Sequence, residues 1–376
     1  MIKSNSLVKT SYKKEDVIIL LKDLTDKMTE LPAEIREKEI QSGKHYSTML
    51  PMEKEPDKEY MDLYYRSLNK NGEKIAEHIA RLSELIMKQY NKKAGFPVII
   101  SLARAGIPVG ILIKRYIKIK YGIDVMHYAI SIIRDVGIDN NAMDYIYDRE
   151  ISYGNNSVSN FFFVDGWTGK GVIKIQLEDA VKELKKDEKW NGLMDDLYVI
   201  SDPSNVTDFC GTHEDYLISS SCLNSTVSGL VSRSILNDMV DTKNGDFHGG
   251  VYFEKFENID ESNNFINYIS HYFEKINIAD VHPLVKDEEK RGATLALYLC
   301  QKYDISDYKK VKPGIGETTR VLLRRVPWKI FINRTVCKKD IEDLEHIIYM
   351  CNKKRIPIER EELGDYKVCG VIKEFL

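Results

Sequence analysis

The residues best placed for chemistry are Val164-Asp165-Gly166-Trp167-Thr168-Gly169-Lys170-Gly171. They follow an apolar run, Asn160-Phe161-Phe162-Phe163, and open onto a helix-like segment from Val172 to Leu184. A strand ending in an acid, then a glycine- and threonine-rich turn, then a helix start is an anion-binding arrangement. Backbone N–H groups at such a turn face the anion, and glycine lets it approach closely. Asp165 stands where ribose hydroxyls or a metal-borne ligand are held. Gly166, Thr168, Gly169, Lys170 and Gly171 form the cradle. A generic strand-to-helix turn is the competing reading. A Walker loop is excluded because Gly171 follows Lys170 where a hydroxyl is required, and no G-x-G-x-x-G is present.

Two further stretches have the same character. Ser101-Leu102-Ala103-Arg104-Ala105-Gly106 lies between a buried strand and a helix, one crossover earlier. Arg104 is either a bidentate clamp for a diphosphate or a helix-entry arginine paired with an acid. Ser131 to Asp139 places Arg134 and Asp135 directly after an apolar strand. These two either close over a site or form a charged surface turn. The six cysteines, at 210, 222, 300, 337, 351 and 369, include no C-x-x-C pair, so zinc and thioredoxin-type readings are poor. A thiol nucleophile needs a nearby base. Cys210 has His213 close in sequence, whereas Cys222 has His248 downstream and reads more simply as a buried residue. His127, inside an apolar strand, reads as a core histidine, and His45 as a site candidate.

The elements that must position these residues change character along the chain. Residues 1–95 read as mainly helical, with apolar spacing over 16–24 and 71–90. From residue 96 strands alternate with helices: strands at 97–102, 125–133, 160–164 and 197–200, helices at 109–120, 140–148 and 172–184. That alternation predicts an α/β fold with a parallel, doubly wound sheet, whose ligands bind at the carboxyl ends of the strands, here loops 101–107, 165–171 and 201–205. A helix is expected over 223–235, capped by Ser219-Ser220-Ser221. The polar stretch 256–290 precedes a linker. After the breaker Pro313-Gly314-Ile315-Gly316, strands are expected at 321–323, 328–332 and 367–373, with a helix over 338–353. The resulting division is 1–95, a helical region packed on the core, 96–290, the α/β domain, and 305–376, a small α/β domain.

Bulk properties exclude little. The chain has 376 residues, 43% apolar and 30% charged, with a net charge of −3, which gives no global argument for nucleic acid or an anionic membrane. The stretch from Lys309 to Arg325 is nonetheless basic. No apolar run is long enough to span a membrane, and the N-terminus lacks a signal-peptide core. A cytoplasmic protein with reduced thiols is expected.

The 165–171 loop resembles the phosphoribosyl-pyrophosphate loop of type I phosphoribosyltransferases, in which a second acid usually stands at the place of Gly166. Longer strings extend the likeness: 41–47, 101–106, 127–135, 164–171, 223–233 and Asp246-Phe247-His248. Together they resemble a bacterial family linked to tellurium-resistance stress operons, described as phosphoribosyltransferase-like and also as a StiP-type cysteine protease. The resemblance implies a type I phosphoribosyltransferase-like fold that moves ribose phosphate from phosphoribosyl pyrophosphate to a nucleobase-like or other acceptor. Asp165 would orient the ribose, and Thr168 to Gly171 would hold its 5′-phosphate. Ser101, Arg104, Ala105 and Gly106 would hold pyrophosphate with Mg²⁺. Arg134 and Asp135 would act from a mobile loop. Lys44, His45, Tyr46, Asn224, Ser228 and Arg233 would line the acceptor pocket. The alternatives are a regulatory protein that binds phosphoribosyl pyrophosphate without turnover, and a cysteine peptidase. Residues 305–376 resemble a Pelota-type RNA-binding domain, with Arg320, Arg324 and Arg325 toward the RNA backbone or in a solvated basic linker. Oligomeric state stays open.

Overall fold

The computed structural model describes residues 7–285 and 291–375. Its central sheet is built from β1 (Ile18–Ile19), β2 (Val98–Ala103), β3 (Met126–Ile133), β4 (Phe161–Trp167), β5 (Leu197–Ser201) and β6 (Cys210–Thr212). All six run parallel in the spatial order β1-β3-β2-β4-β5-β6, and a two-residue strand, Gly137–Ile138, pairs antiparallel with β3. The helices are α1 (Ala33–Gln41), α2 (Lys58–Gln89), α3 (Gly106–Tyr121), α4 (Asn140–Ser152), α5 (Val172–Leu184), α6 (Ser262–Ser270), α7 (Arg291–Tyr303), α8 (Ile315–Arg324), α9 (Lys338–Ile341) and α10 (Glu345–Lys354).

The strands are almost continuously apolar because both faces of the sheet are covered. Ile99, Ala129, Phe162, Tyr198 and Ile200 meet apolar residues of α2, α3 and α6 on one face. Ile100, Ile130, Phe161, Phe163 and Val199 meet those of α4 and α5 on the other. From β2 the chain crosses to β3 on one side, then returns past β2 to β4 on the other. The order therefore reverses between β2 and β4, and a crevice forms where the two loops after them diverge. Gly106 is required at this point. A Cβ there would lie 2.4 Å from the Val164 carbonyl oxygen, so only glycine lets α3 start this close to β4.

The C-terminal unit is a four-stranded sheet of β7 (Val311–Pro313), β8 (Pro327–Asn333), β9 (Ile358–Glu361) and β10 (Val368–Ile372), in the order β7-β10-β8-β9. Ile315, Leu322, Ile347 and Cys351 of α8 and α10 cover one face and join the core around α2. Leu295, Ala296 and Leu299 of α7 cover the other with Val311, Phe331 and Val371. The unit is seated by Asp215, which is buried and accepts the backbone N–H of Ile315 and of Lys367, each at 2.9 Å.

Several expected elements differ. The 16–24 stretch is not helical: Ile18–Ile19 extends the sheet beside β3, and a run this short does not fix its period. Residues 223–235 form 3₁₀ turns and irregular chain. Their serines and asparagine bond locally to backbone, Ser228 Oγ to the Asn224 carbonyl for example, which competes with helix. Residues 321–323 belong to α8, whose buried Ile315, Thr318, Thr319 and Leu322 follow a helical spacing. The expected helix over 338–353 divides into α9, a 3₁₀ turn and α10. Helix α7 begins directly after the stretch read as polar and leading to a linker, and β9 has no counterpart among the expected strands; part of the expected linker, 286–290, lies outside the described residues.

Replacing Asp215 by alanine orphans two buried N–H groups, each costing on the order of 1–3 kcal/mol. The expected outcome is a lower unfolding midpoint and release of a C-terminal fragment in limited proteolysis under conditions that leave the parent chain intact.

Candidate functional site

Two adjoining cavities, of about 350 and 290 Å³, lie between the carboxyl ends of the parallel strands and the C-terminal unit. The loops after β2, β3 and β4 form one wall, and β7 with α8 forms the other. Sequence-chosen residues Arg104, Ala105, Arg134, Asp135, Asp165, Thr168, Gly169, Lys170 and Gly171 line the larger cavity with Lys312 and Glu317. Tyr46, Arg233, Arg320, Arg324 and Arg325 border the smaller one.

Most of these groups are already engaged. Ser101 Oγ donates to the Gly106 carbonyl at 2.9 Å and meets His127 Nε2 at 2.7 Å, inside the core. His127 also bonds the Asp16 carbonyl through Nδ1, and burial pushes its pKa down to about 3, as befits a structural histidine. Arg104 forms a buried ion pair with Glu53 at 2.9 Å and donates to the Val231 carbonyl and Asn224 Oδ1. It therefore braces two loops instead of reaching for a diphosphate. Burial pulls Glu53 upward, but Arg104 and the Ser225 N–H and hydroxyl hold it below the usual carboxylate range.

The 165–171 loop is roofed. Tyr366 donates to the Gly169 carbonyl at 2.7 Å, and Lys170 Nζ donates to the Tyr308 carbonyl at 2.6 Å while lying over that ring. Arg320 stacks on Trp167 at 4.2 Å and pairs with Glu317 at 2.6 Å. Thr168 is buried and donates to Asp202 Oδ1. Gly166 faces Ala105, and Gly171 begins α5 with a left-handed backbone, φ +77°. The 134–135 turn is pinned as well. Arg134 N donates to Tyr46 Oη at 2.8 Å, His45 Nε2 bonds the Arg134 carbonyl at 3.2 Å, and Asp135 pairs with Lys309. The expected mobile loop is thus a short hairpin tied at both residues. Tyr46 and Arg233 reach the cleft, stacked at 4.3 Å. Lys44 pairs on the surface with Glu39, and Ser228 is buried in its own turn. Arg325 is held by Glu37 through two bonds of 2.6 and 2.8 Å.

Positive charge nevertheless dominates. Burial pushes Lys312 down to about 7 and Lys170 to about 8, helped by cationic neighbours. Arg233 falls to about 9 for the same reasons, and Arg324 lies well below its ordinary value. Against burial, Arg320 and Lys312 hold Glu317 at about 2. Burial raises Asp165 to about 6, with Arg320 opposing.

Behind the 165–171 loop lies a second cluster. Asp202, at the end of β5, accepts the N–H of Val206 and Thr207 at 2.7 and 2.9 Å and the Ser204 hydroxyl at 2.9 Å. Its carbonyl accepts from His213 Nδ1 at 2.9 Å. Cys210 Sγ, on β6, lies 3.8 Å from each ring nitrogen of His213. Burial and the Asp202 carboxylate push the Cys210 thiol up strongly. The donors already on the Asp202 carboxylate leave it little capacity for a metal, although Asp202, Cys210 and His213 lie close enough together to be considered. Among the described residues no other cysteine has a histidine in hydrogen-bond range. Cys222 sits under Tyr60, which donates to its carbonyl, and burial pushes its thiol up to about 12. His248 bonds Ser131 instead.

Residues 10–270 match the family described as "Tellurite-like stress resistance cysteine protease StiP", and residues 290–374 match the "PELOTA RNA binding domain". A relative named "Cysteine protease StiP", from Acinetobacter baylyi (strain ATCC 33305 / BD413 / ADP1), is 32% identical over 376 residues, covering 97% of this chain and 94% of that one. The chain belongs to the StiP family. That membership overturns the phosphoribosyltransferase reading and its glycosyltransferase class, and supports the cysteine-peptidase alternative. The geometry agrees with the correction: the Ser101 hydroxyl is internal and Arg104 is paired with Glu53. Of the expected fold, the mainly parallel sheet with helices on both faces is present. Among the described residues no helix is long and apolar enough to cross a membrane.

The neighbourhood of Cys210 and His213 was legible as spacing, whereas Asp202 as the group that orients the imidazole was not. Glu53, the partner of Arg104, sits in the polar run Pro51-Met52-Glu53-Lys54-Glu55-Pro56, which carries no signal of burial. An acid raised in the folded state binds its proton more tightly there than in the unfolded chain. The stability that Asp165 and the similarly raised Asp215 contribute is therefore expected to fall as pH rises from about 4 to about 6, whereas the buried His78, His127, His248 and His346, lowered by desolvation, contribute with the opposite sign over that range. Asp165→Asn is expected to lose part of this slope and to be the more stable protein above pH 6 in denaturant titrations; an unchanged profile would contradict the assignment.

Proposed function

We propose that this chain is a cysteine peptidase whose nucleophile is Cys210, with His213 as its base and Asp202 as the orienting group. One observation carries the reading: Cys210 is the one thiol with an imidazole within hydrogen-bond range among the described residues. The family description and the name of the relative give the reaction class.

The bonding pattern assigns the roles. His213 Nδ1 faces a carbonyl at 2.9 Å and so carries the proton, which leaves Nε2 as the acceptor. In the reaction the Sγ proton passes to Nε2 and the sulfur bonds to the scissile carbonyl carbon. The C–N bond then breaks, His213 returns the proton to the departing amine, and water hydrolyses the thioester. The Asp202 carbonyl and its carboxylate, 3.6 Å from Nδ1, favour the imidazolium that forms. Sγ is equidistant from both nitrogens, so a turn of the Cys210 side chain precedes transfer.

The resting thiol is protonated and covered. Leu284 packs against the apolar cluster that contains Cys210, and its N–H bonds the Asp208 carbonyl. Arg81 donates to the Cys210 carbonyl and also to that of His282. Residues 282–284 therefore lie along the edge of the sheet beside the thiol, and substrate entry requires them to shift. Cleavage of an unfolded protein such as reduced casein, followed by peptide mass spectrometry, tests the proposal. Cys210→Ser is expected to lower the rate by about three orders of magnitude, with His213→Ala comparably impaired. Cys222→Ser is expected to keep the parent rate. Full activity in Cys210→Ser would sink the assignment.

A further inference from the structure

The smaller lobe of the cleft holds several cations that form no ion pair among the described residues. Arg233, Lys312 and Arg324 have no carboxylate partner among the described residues, and Glu317, the acid in this lobe, is paired with Arg320. Arg134 reaches Asp135 at 3.4 Å across a partly exposed contact. Two of the guanidinium groups lie over the Tyr46 ring, Arg233 at 4.3 Å and Arg134 at 5.3 Å from its centroid. Crowding half-buried cations is costly unless an anion completes the arrangement. The walls come from both parts of the molecule: Lys312 and Arg324 belong to the C-terminal unit, Arg134 and Arg233 to the core. A cavity of about 290 Å³ does not admit a duplex.

We propose that an end of single-stranded RNA enters this lobe, its phosphates held jointly by Lys312 and Arg324 on one side and Arg134 and Arg233 on the other. The proposal rests on the RNA-binding reading of the C-terminal unit and extends it to core residues outside residues 290–374. It follows that bound RNA ties the C-terminal unit to the core and that core substitutions weaken RNA binding.

Fluorescence anisotropy of the full chain with a short fluorescein-labelled single-stranded RNA, repeated over a range of salt concentrations, tests this. Arg233→Gln and Arg134→Gln are each expected to weaken binding about tenfold and to lower the salt slope by about one ion. Arg233→Lys keeps the charge and is expected to restore most of the slope. Arg324→Gln probes the opposite wall, and thermal melting confirms that each variant is folded. If the parent chain binds RNA and the folded core variants match it, the inference fails while the C-terminal reading stands. If the parent chain binds no RNA, both fail. Poly-glutamate binding that shows the same sensitivity to Arg233, with RNA unable to compete, would assign the lobe to an acidic peptide and overturn the proposal.

Discussion

One buried carboxylate fixes how the two parts of this molecule meet. Asp215 takes the first N–H of α8 and the N–H of Lys367, and so seats the C-terminal unit over the carboxyl ends of the parallel strands. A parallel sheet would otherwise offer that edge as its open binding face. Here the roof is tight enough that Tyr366, Tyr308 and Glu317 contact the turn after β4. The enclosed cleft and the crowding of its cations follow from that seating.

The cations around the cleft fall into two sets. Arg104 and Arg325 are matched to Glu53 and Glu37 and act as braces between segments. Among the described residues Arg233, Arg324 and Lys312 form no ion pair, and they line the cavity. Breaking a buried matched pair strands a charge and costs stability, whereas removing an unmatched cation relieves repulsion. The two sets are therefore separable by mutation: the first holds the fold, and the second is free to meet a ligand.

Strands of the α/β core were legible because a sheet buried on both faces leaves near-continuous apolar runs, as in Val98-Ile99-Ile100 and Phe161-Phe162-Phe163. Helix α5 was legible to the residue, since its spacing and the glycine before it agree. The 223–235 segment was misread because its apolar residues keep helical spacing while its serines and asparagine claim the backbone. Near the cleft, sequence indicated which loops converge but not that they are capped, because capping depends on a unit more than a hundred residues away. An acid, glycines and a helix start describe a turn able to hold an anion; in the fold this turn lines the larger cavity while Tyr366 of the C-terminal unit donates to its Gly169 carbonyl.

Cys210, His213 and Asp202 come together because β5 and β6 are adjacent parallel strands, which brings the end of one beside the residue that follows the other. Burial and the Asp202 carboxylate keep the Cys210 thiol protonated. The most direct measurement is covalent trapping of the full chain with a peptidyl vinyl sulfone, followed by proteolytic digestion and mass-spectrometric mapping. A single adduct on Cys210, lost in His213→Ala, is the expected result. An adduct confined to another cysteine, or labelling indifferent to His213, would contradict the account.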